Sequence, residues 1–272
     1  MKNIVTLLAA TAAAAVSLSL SAFAQTASPV QSSARPFGLD IVDKVQLAGS
    51  DDASATFQKS VLPGLASFLS SALPESRAID DKAHLLDPGK LKLATDSNVR
   101  AYFIGEGAGY ENSLGFNTAG GGVTSGNPEL IFPNASTGGS RTASTPLQAG
   151  DFVDLGKIAG GQKLDFFLIA NGATRTPGEV YSTDSSVNRD GINHVVSFAT
   201  IYGSYLVIGF EDLLGGGDRD FNDLLFAIDI GAVNVAALTG TPEPATYMTM
   251  GLFLVGGVWV ASRRKAQKAV NA

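Results

Sequence analysis

The chain has 272 residues, a net charge of −6, 31 glycines, 11 prolines and no cysteine. Without thiols there is no cysteine nucleophile, no zinc–thiolate site and no disulfide staple, so the fold must be held by its core or by a metal. The acidic balance argues against nucleic acid, whose binding needs a basic face, and is compatible with divalent cations.

The chain opens with Lys2, an apolar stretch from Ile4 to Leu20 and the small-x-small site Ala22-Phe23-Ala24. This pattern reads as a secretory signal peptide over residues 1–24, cut after Ala24. Residues 25–36 are rich in Ser, Thr, Pro and Gln and read as a flexible linker. An N-terminal helical extension is expected over 37–89. Within it Phe57, Val61, Leu65, Phe68 and Leu69 recur at helical spacing, and Ser50 or Asp51 can cap the start. Pro63 interrupts the pattern, which predicts two short helices or one kinked helix packed on a sheet.

From Lys90 the period changes. KLKLAT alternates, NVRAYFIG does so partly, and KLDFFLIA (residues 163–170) reads as a buried strand. Between His194 and Asp212 two apolar runs flank Gly203-Ser204, which suits a two-residue hairpin. LLFAIDI (residues 224–230) is a further strand. Short strands joined by glycine-rich turns predict an antiparallel β-sandwich over 90–231 and a mainly β fold. The glycines from Gly105 to Gly126 lack phosphate-loop spacing, and Gly120-Gly121-Gly122 reads as a turn. Asn134-Ala135-Ser136 matches the N-glycosylation sequon.

One stretch carries chemistry: GFEDLLGGGDRDFNDLLFAIDI, from Gly209 to Ile230. Asp218, Asp220 and Asn222 place oxygen-bearing side chains at alternate positions, as the first ligands of a calcium loop do. Gly215-Gly216-Gly217 lets the chain bend before them. Glu211 and Asp212 end the preceding strand and Asp223 starts the next, so a hairpin would gather all six residues around one Ca2+. The EF-hand pattern is not met, because the sixth position is Asp223 rather than glycine and the following residues are apolar. The alternative is a solvated acidic turn in which Asp and Asn serve turn chemistry. Glu106, Glu111 and Asn112 could add ligands if the upstream loop folds over this one.

Residues 232–244 read as a linker, Ala245 to Ala261 as an apolar span near the lower length limit for a membrane helix, and residues 262–272 as a basic cytoplasmic tail. Pro242-Glu243-Pro244, the span and then Arg263-Arg264-Lys265 together resemble a PEP-CTERM sorting signal. That resemblance implies a Gram-negative bacterium that makes extracellular polysaccharide. It also implies cleavage near the motif by a membrane-bound exosortase, with transient inner-membrane anchoring and then a cell-surface or secreted location. GFEDLLGGGDRDFNDLLF, with AYFIGEGAGYENSLG and His194-Val195 upstream, resembles the bacterial domain of unknown function numbered 4114 over about Val99 to Gly231. This resemblance implies a calcium-binding β-domain and no reaction.

Catalysis is not expected. Only His84 and His194 supply imidazoles, and neither GxSxG nor HExxH occurs. The leading expectation is a structural or adhesive exported protein in biofilm or exopolysaccharide, with polysaccharide or other surface proteins as partners. Calcium-dependent carbohydrate binding is the alternative, with Tyr102, Tyr110, Phe116 and Phe221 near the acidic loop and equally suited to the core. A glycan-acting hydrolase built on paired carboxylates is a further alternative.

Overall fold

The apolar runs of the sequence become strands buried on both faces. A computed structural model describes residues 30–73 and 85–240, and within them the strands of both sheets pair with one another only in antiparallel fashion. The strands are β1 (Leu85–Leu86), β2 (Ser97–Gly105), β3 (Ser113–Asn117), β4 (Glu129–Phe132), β5 (Phe152–Ile158), β6 (Asp165–Ile169), β7 (Val180–Ser182), β8 (Val195–Ala199), β9 (Tyr205–Phe210) and β10 (Leu224–Asp229). A six-stranded sheet runs β1-β8-β9-β10-β2-β5, and a four-stranded sheet runs β4-β3-β6-β7. The mainly β, sandwich-like architecture expected from the sequence is present.

Alternation along each strand sorts the side chains. Leu206, Ile208 and Phe210 of β9, with Leu224, Phe226 and Ile228 of β10, point into the main core between the sheets. There Phe226 meets Phe166 of β6 at 5.2 Å between ring centroids, and Phe103 of β2 meets Phe132 of β4 at 6.0 Å. The opposite face of the six-stranded sheet presents Tyr102, Val196, Phe198, Val207 and Ala227. It is covered by the N-terminal helical layer, which explains why these strands read as continuous apolar runs.

That layer is α1 (Asp52–Thr56), a π-helical turn (Phe57–Val61) and α2 (Leu62–Ala72). Asp51 caps it, accepting from the Ser54 N–H at 2.7 Å. The predicted break near Pro63 takes the form of the π turn, which widens the backbone just before a residue with no N–H and a ring that crowds the preceding turn. Phe57 stacks on Tyr102 at 3.9 Å. The Arg100 guanidinium lies 4.1 Å from the Phe152 ring centroid and bonds Asp154 at 2.6 Å and Asp51 at 3.0 Å, so the helix cap is also tied to the sheet.

Several boundaries differ from expectation. The linker expected at 25–36 is docked from Val30, which is 1 % exposed in the main core, and Gln31 accepts from the Val45 N–H at 2.9 Å. The extension at 37–89 is only partly helical: Ile41 bridges Leu130 and Gln46 bridges Phe152, so this segment also runs along strands of both sheets. KLKLAT forms one isolated bridge, Lys92 to Lys163, because the strand proper starts at Ser97. The hairpin at Gly203-Ser204 exists, but Ala199 pairs Leu206 and the Thr200 N–H bonds the Tyr205 carbonyl, leaving four residues in the turn. The linker expected at 232–244 begins with a helix, α3 (Ala232–Thr239). It is held because Val235 enters the core and the buried Asn234 accepts from the Ala94 and Thr95 N–H groups at 2.8 and 2.9 Å. Asn134 of the sequon is 3 % exposed, which removes it as a glycan acceptor in the folded chain.

No helix among the described residues is long and apolar enough to cross a membrane. The expected signal peptide, the motif Pro242-Glu243-Pro244, the span 245–261 and the basic residues Arg263 and Arg264 lie outside the described residues.

Candidate metal centre

The acidic stretch forms the connection between β9 and β10, which pair in register from Leu224↔Phe210 to Asp229↔Tyr205. The two strand ends are therefore held side by side, and the 13 residues between Phe210 and Leu224 must close on themselves. They do so with positive φ at Gly215 (86°), Gly216 (83°) and Gly217 (46°), and also at Arg219 (64°) and Phe221 (55°). The glycines adopt this region freely, whereas the two bulky residues do so at a cost of roughly 1 kcal/mol or more each.

The turn brings Glu211, Asp218 and Asp220 together, each offering a carboxylate oxygen within 4.8 Å of the others. Glu211 and Asp220 are buried and Asp218 is exposed, so the cluster opens to solvent on one side. Glu211 accepts from the Phe221 N–H at 2.8 Å, which folds the loop over its own first ligand candidate. Burial pushes the Glu211 carboxyl above the usual range, and the charges of Asp218 and Asp220 push the same way. Gly217 packs so closely that a Cβ there would overlap the Glu211 carboxylate. Asn222 donates through Nδ2 to Asp220 Oδ2 at 2.9 Å, so its amide orients a carboxylate in this arrangement.

Asp212 and Asp223 form a separate group. Because adjacent residues at a strand end project to opposite sides, Glu211 and Asp212 diverge. The Asp212 N–H bonds Asp223 Oδ2 at 2.9 Å, and Asp212 Oδ2 accepts from Asn112 Nδ2 at 2.7 Å. Burial raises the carboxyls of both Asp212 and Asp223, and the Asp212 and Glu211 charges raise Asp223 further. Asn112 is itself locked, its Oδ1 accepting from the Asn171 N–H at 3.1 Å. Glu106 accepts from the Thr137 N–H at 3.1 Å; burial raises its carboxyl and the Asp212 charge adds to this. Glu111 takes part through its backbone, its N–H bonding Asn171 Oδ1 and its carbonyl the Ala173 N–H. Of the aromatic residues considered, Tyr102 and Phe116 are core, Phe221 packs against the helical layer's cluster, and Tyr110 is partly exposed.

A support the sequence reading missed is Asp190. Its Oδ2 accepts from the Gly215 N–H at 2.8 Å and faces His194 Nε2 at 2.9 Å. Burial works to raise the Asp190 carboxyl, but these hydrogen bonds win and hold it at about 2. His194 is fully buried, stacks on Tyr181 at 3.9 Å between ring centroids, and passes its backbone carbonyl to the Glu211 N–H. The glycine turn is thus pinned from outside to the segment that leads into β8. The clue was an Asp four residues before a His, a spacing too common to single out.

Beside this loop lies a cleft of about 480 Å³ that includes Tyr110, Asn171, Tyr181 and residues Asp212–Gly215 in its walls.

An antiparallel β-sandwich with a strained acidic connection at one end defines the class of molecule. Residues 158–231, from the end of β5 through β10, match the family model described as Domain of unknown function (DUF4114). The matched segment holds the whole acidic loop together with Asp190 and His194, while the upstream segment from Val99 falls outside it. Neither a curated protein nor a solved structure gives a significant match.

Proposed function

We propose that the chain is an exported, exosortase-processed cell-surface or matrix protein whose β-domain is stabilised by calcium and has a structural or adhesive role. The observation that carries the calcium assignment is the convergence of Glu211, Asp218 and Asp220. Oxygens bound to one Ca2+ at roughly 2.4 Å can be at most about 4.8 Å apart, and the cluster meets that limit. The donors are all hard oxygens, as calcium prefers. The positive φ values at Arg219 and Phe221 support the same reading, because a loop that keeps strain while crowding like charges needs a compensating ligand.

Glu211, Asp218 and Asp220 would hold the ion, which would supply the charge that cancels their repulsion and fixes the β9–β10 connection. Asp212 and Asp223 would stand behind it with Asn112. Export and sorting rest on the terminal signals of the sequence.

Isothermal titration of the full chain with calcium, together with melting curves in chelator and in calcium, tests this reading. Calcium uptake and a higher melting temperature are expected. Absence of both would refute the metal assignment.

A further inference from the structure

The cleft beside the acidic loop has a chemistry of its own. It lies where three connections meet: the β2–β3 loop gives Tyr110, the β6–β7 connection gives Asn171 and Glu179, and the β9–β10 loop gives Leu213 and Leu214. Loops set on a rigid scaffold are where binding sites concentrate. Its volume of about 480 Å³ falls within the range of small-ligand sites.

The walls are mixed in character. Tyr110, Leu213 and Leu214 are 38 %, 45 % and 51 % exposed, which leaves one aromatic ring and two aliphatic side chains open to a ligand. Gly178, Gly215 and Gly217 line the space without side chains, so a ligand can approach the main chain closely. Tyr181 lines it too, and burial pushes its hydroxyl up to about 12, keeping it a neutral donor and acceptor.

The charges decide which ligand fits. The charged residues of the lining are Glu179 and Asp212, and no Lys or Arg is among them. Arg189 is already ion-paired with Glu179, and the Asp212 carboxylate has the Asn112 amide as its side-chain donor, so a phosphate, a nucleotide or a sulfated glycan would meet the Asp212 charge with no unpaired cation in the lining. A purely apolar ligand would strand the Tyr181 hydroxyl and main-chain groups without partners. A sugar ring has an apolar C–H face for a tyrosine or leucine, and hydroxyls for carboxylate, amide and phenol groups. We propose that this cleft binds a neutral oligosaccharide.

The cleft shares a wall with the metal centre. Gly217 lines it and packs on the Glu211 carboxylate, and the Gly215 N–H is held by Asp190. Cation binding thus shapes the wall without touching the sugar. The dependence on calcium rests on the metal reading above, whereas the cleft itself does not.

The test is calorimetric titration of the full chain with neutral gluco-, manno- and xylo-oligosaccharides, in calcium and in chelator, alongside a lysine-rich peptide. Binding of at least one neutral oligosaccharide is expected. Tyr110→Ala and Leu214→Arg should each weaken it roughly tenfold or more while calcium titration and melting temperature stay unchanged. Two side chains from different loops keep the result independent of a local folding defect in either. The proposal is overturned if no neutral oligosaccharide binds, if both variants bind as well as the parent, or if the peptide displaces the sugar and binds more tightly. Sugar binding without any calcium uptake would remove the metal reading and leave the cleft standing; calcium uptake without sugar binding would do the reverse.

Discussion

The sharpest prediction concerns Asp220→Asn, because it should move stability in opposite directions with and without calcium. Glu211 and Asp220 are 1 % and 2 % exposed, and their oxygens lie within 4.8 Å. At that separation and an effective dielectric near 20, two like charges repel by about 3 kcal/mol. The amide variant removes this repulsion but weakens the hydrogen bond from Asn222, which offsets roughly 1–2 kcal/mol. In chelator the variant should therefore be more stable than the parent by about 1–2 kcal/mol. For a body of about 200 residues that is a melting temperature higher by roughly 2–8 °C.

Calcium should reverse the order. At a hundredfold excess over Kd the ion stabilises the parent by about 2.7 kcal/mol, or roughly 5–11 °C, while the variant lacks a ligand and gains little. The two proteins should cross. Differential scanning calorimetry in chelator and in calcium reads all four values. If the variant keeps the parent's calcium shift, the ion binds elsewhere. If the parent melts identically in both buffers, no ion stabilises the fold. The pH dependence in chelator gives a second check. Burial raises the Glu211, Asp212 and Asp223 carboxyls, so the folded state holds protons more tightly than the unfolded one. Stability without calcium should thus fall as pH rises above the unfolded carboxylate value of about 4, and calcium should remove that slope.

Asp190 behaves in the opposite sense. Its folded-state pKa is depressed to about 2, so it contributes stability above about pH 4 that is lost as pH falls toward 2. Asp190→Asn should cost about 1 kcal/mol at neutral pH, after discounting for solvent screening, and flatten the acid limb of a denaturant-unfolding series. Gly217→Ala should lower calcium affinity at least tenfold by calorimetric titration, since the added methyl group overlaps the Glu211 carboxylate and the position has φ of 46°. Asn112→Ala should destabilise the fold by about 2–3 kcal/mol in urea, because it leaves the buried Asp212 carboxylate without its donor. Phe57→Ala should cost about 3–5 kcal/mol by the same measurement, because it empties the stack on Tyr102 and loosens the helical layer.

The sequence displayed periodicity well and convergence poorly. Phe57, Val61, Leu65 and Leu69 announced a helix face, and the structure packs that face on the six-stranded sheet. The strands around Phe103, Phe166 and Phe226 stood out as apolar runs because each of the two sheets carries packed apolar side chains on both faces. The acidic cluster was visible from composition alone. Its division was not: Glu211 and Asp212 are neighbours in the chain, yet a strand end sends them to opposite sides, one to the carboxylate triad and the other to Asn112. The docked ends were equally hidden. Val30 lies in a polar stretch and Val235 in one that reads as a linker, and only the tertiary fold shows that each fills the core. The three glycines account for only part of the bend, since Arg219 and Phe221 share the left-handed conformation, which no side-chain preference announces.

The matched family segment, residues 158–231, divides the site in an instructive way. Glu211, Asp218 and Asp220 lie inside it, as do the groups that brace their loop, Asp190 and His194. The candidate metal centre is therefore contained within that segment, with its three carboxylates on one connection and its brace, Asp190 and His194, on the segment that leads into β8. Asn112, Glu106 and Tyr110 lie outside it, as does the helical layer on the far face of the sheet. These outside residues set what surrounds the centre: the partner of Asp212, the electrostatic neighbour of that group and the open aromatic wall of the cleft. A structural cation would then be a property of the segment, and ligand choice a property of the loops that the rest of the chain brings to it. Transplanting only the β2–β3 loop should alter sugar binding and leave calcium uptake intact, whereas changes at Asp190 should loosen the centre and reach the cleft through Gly215.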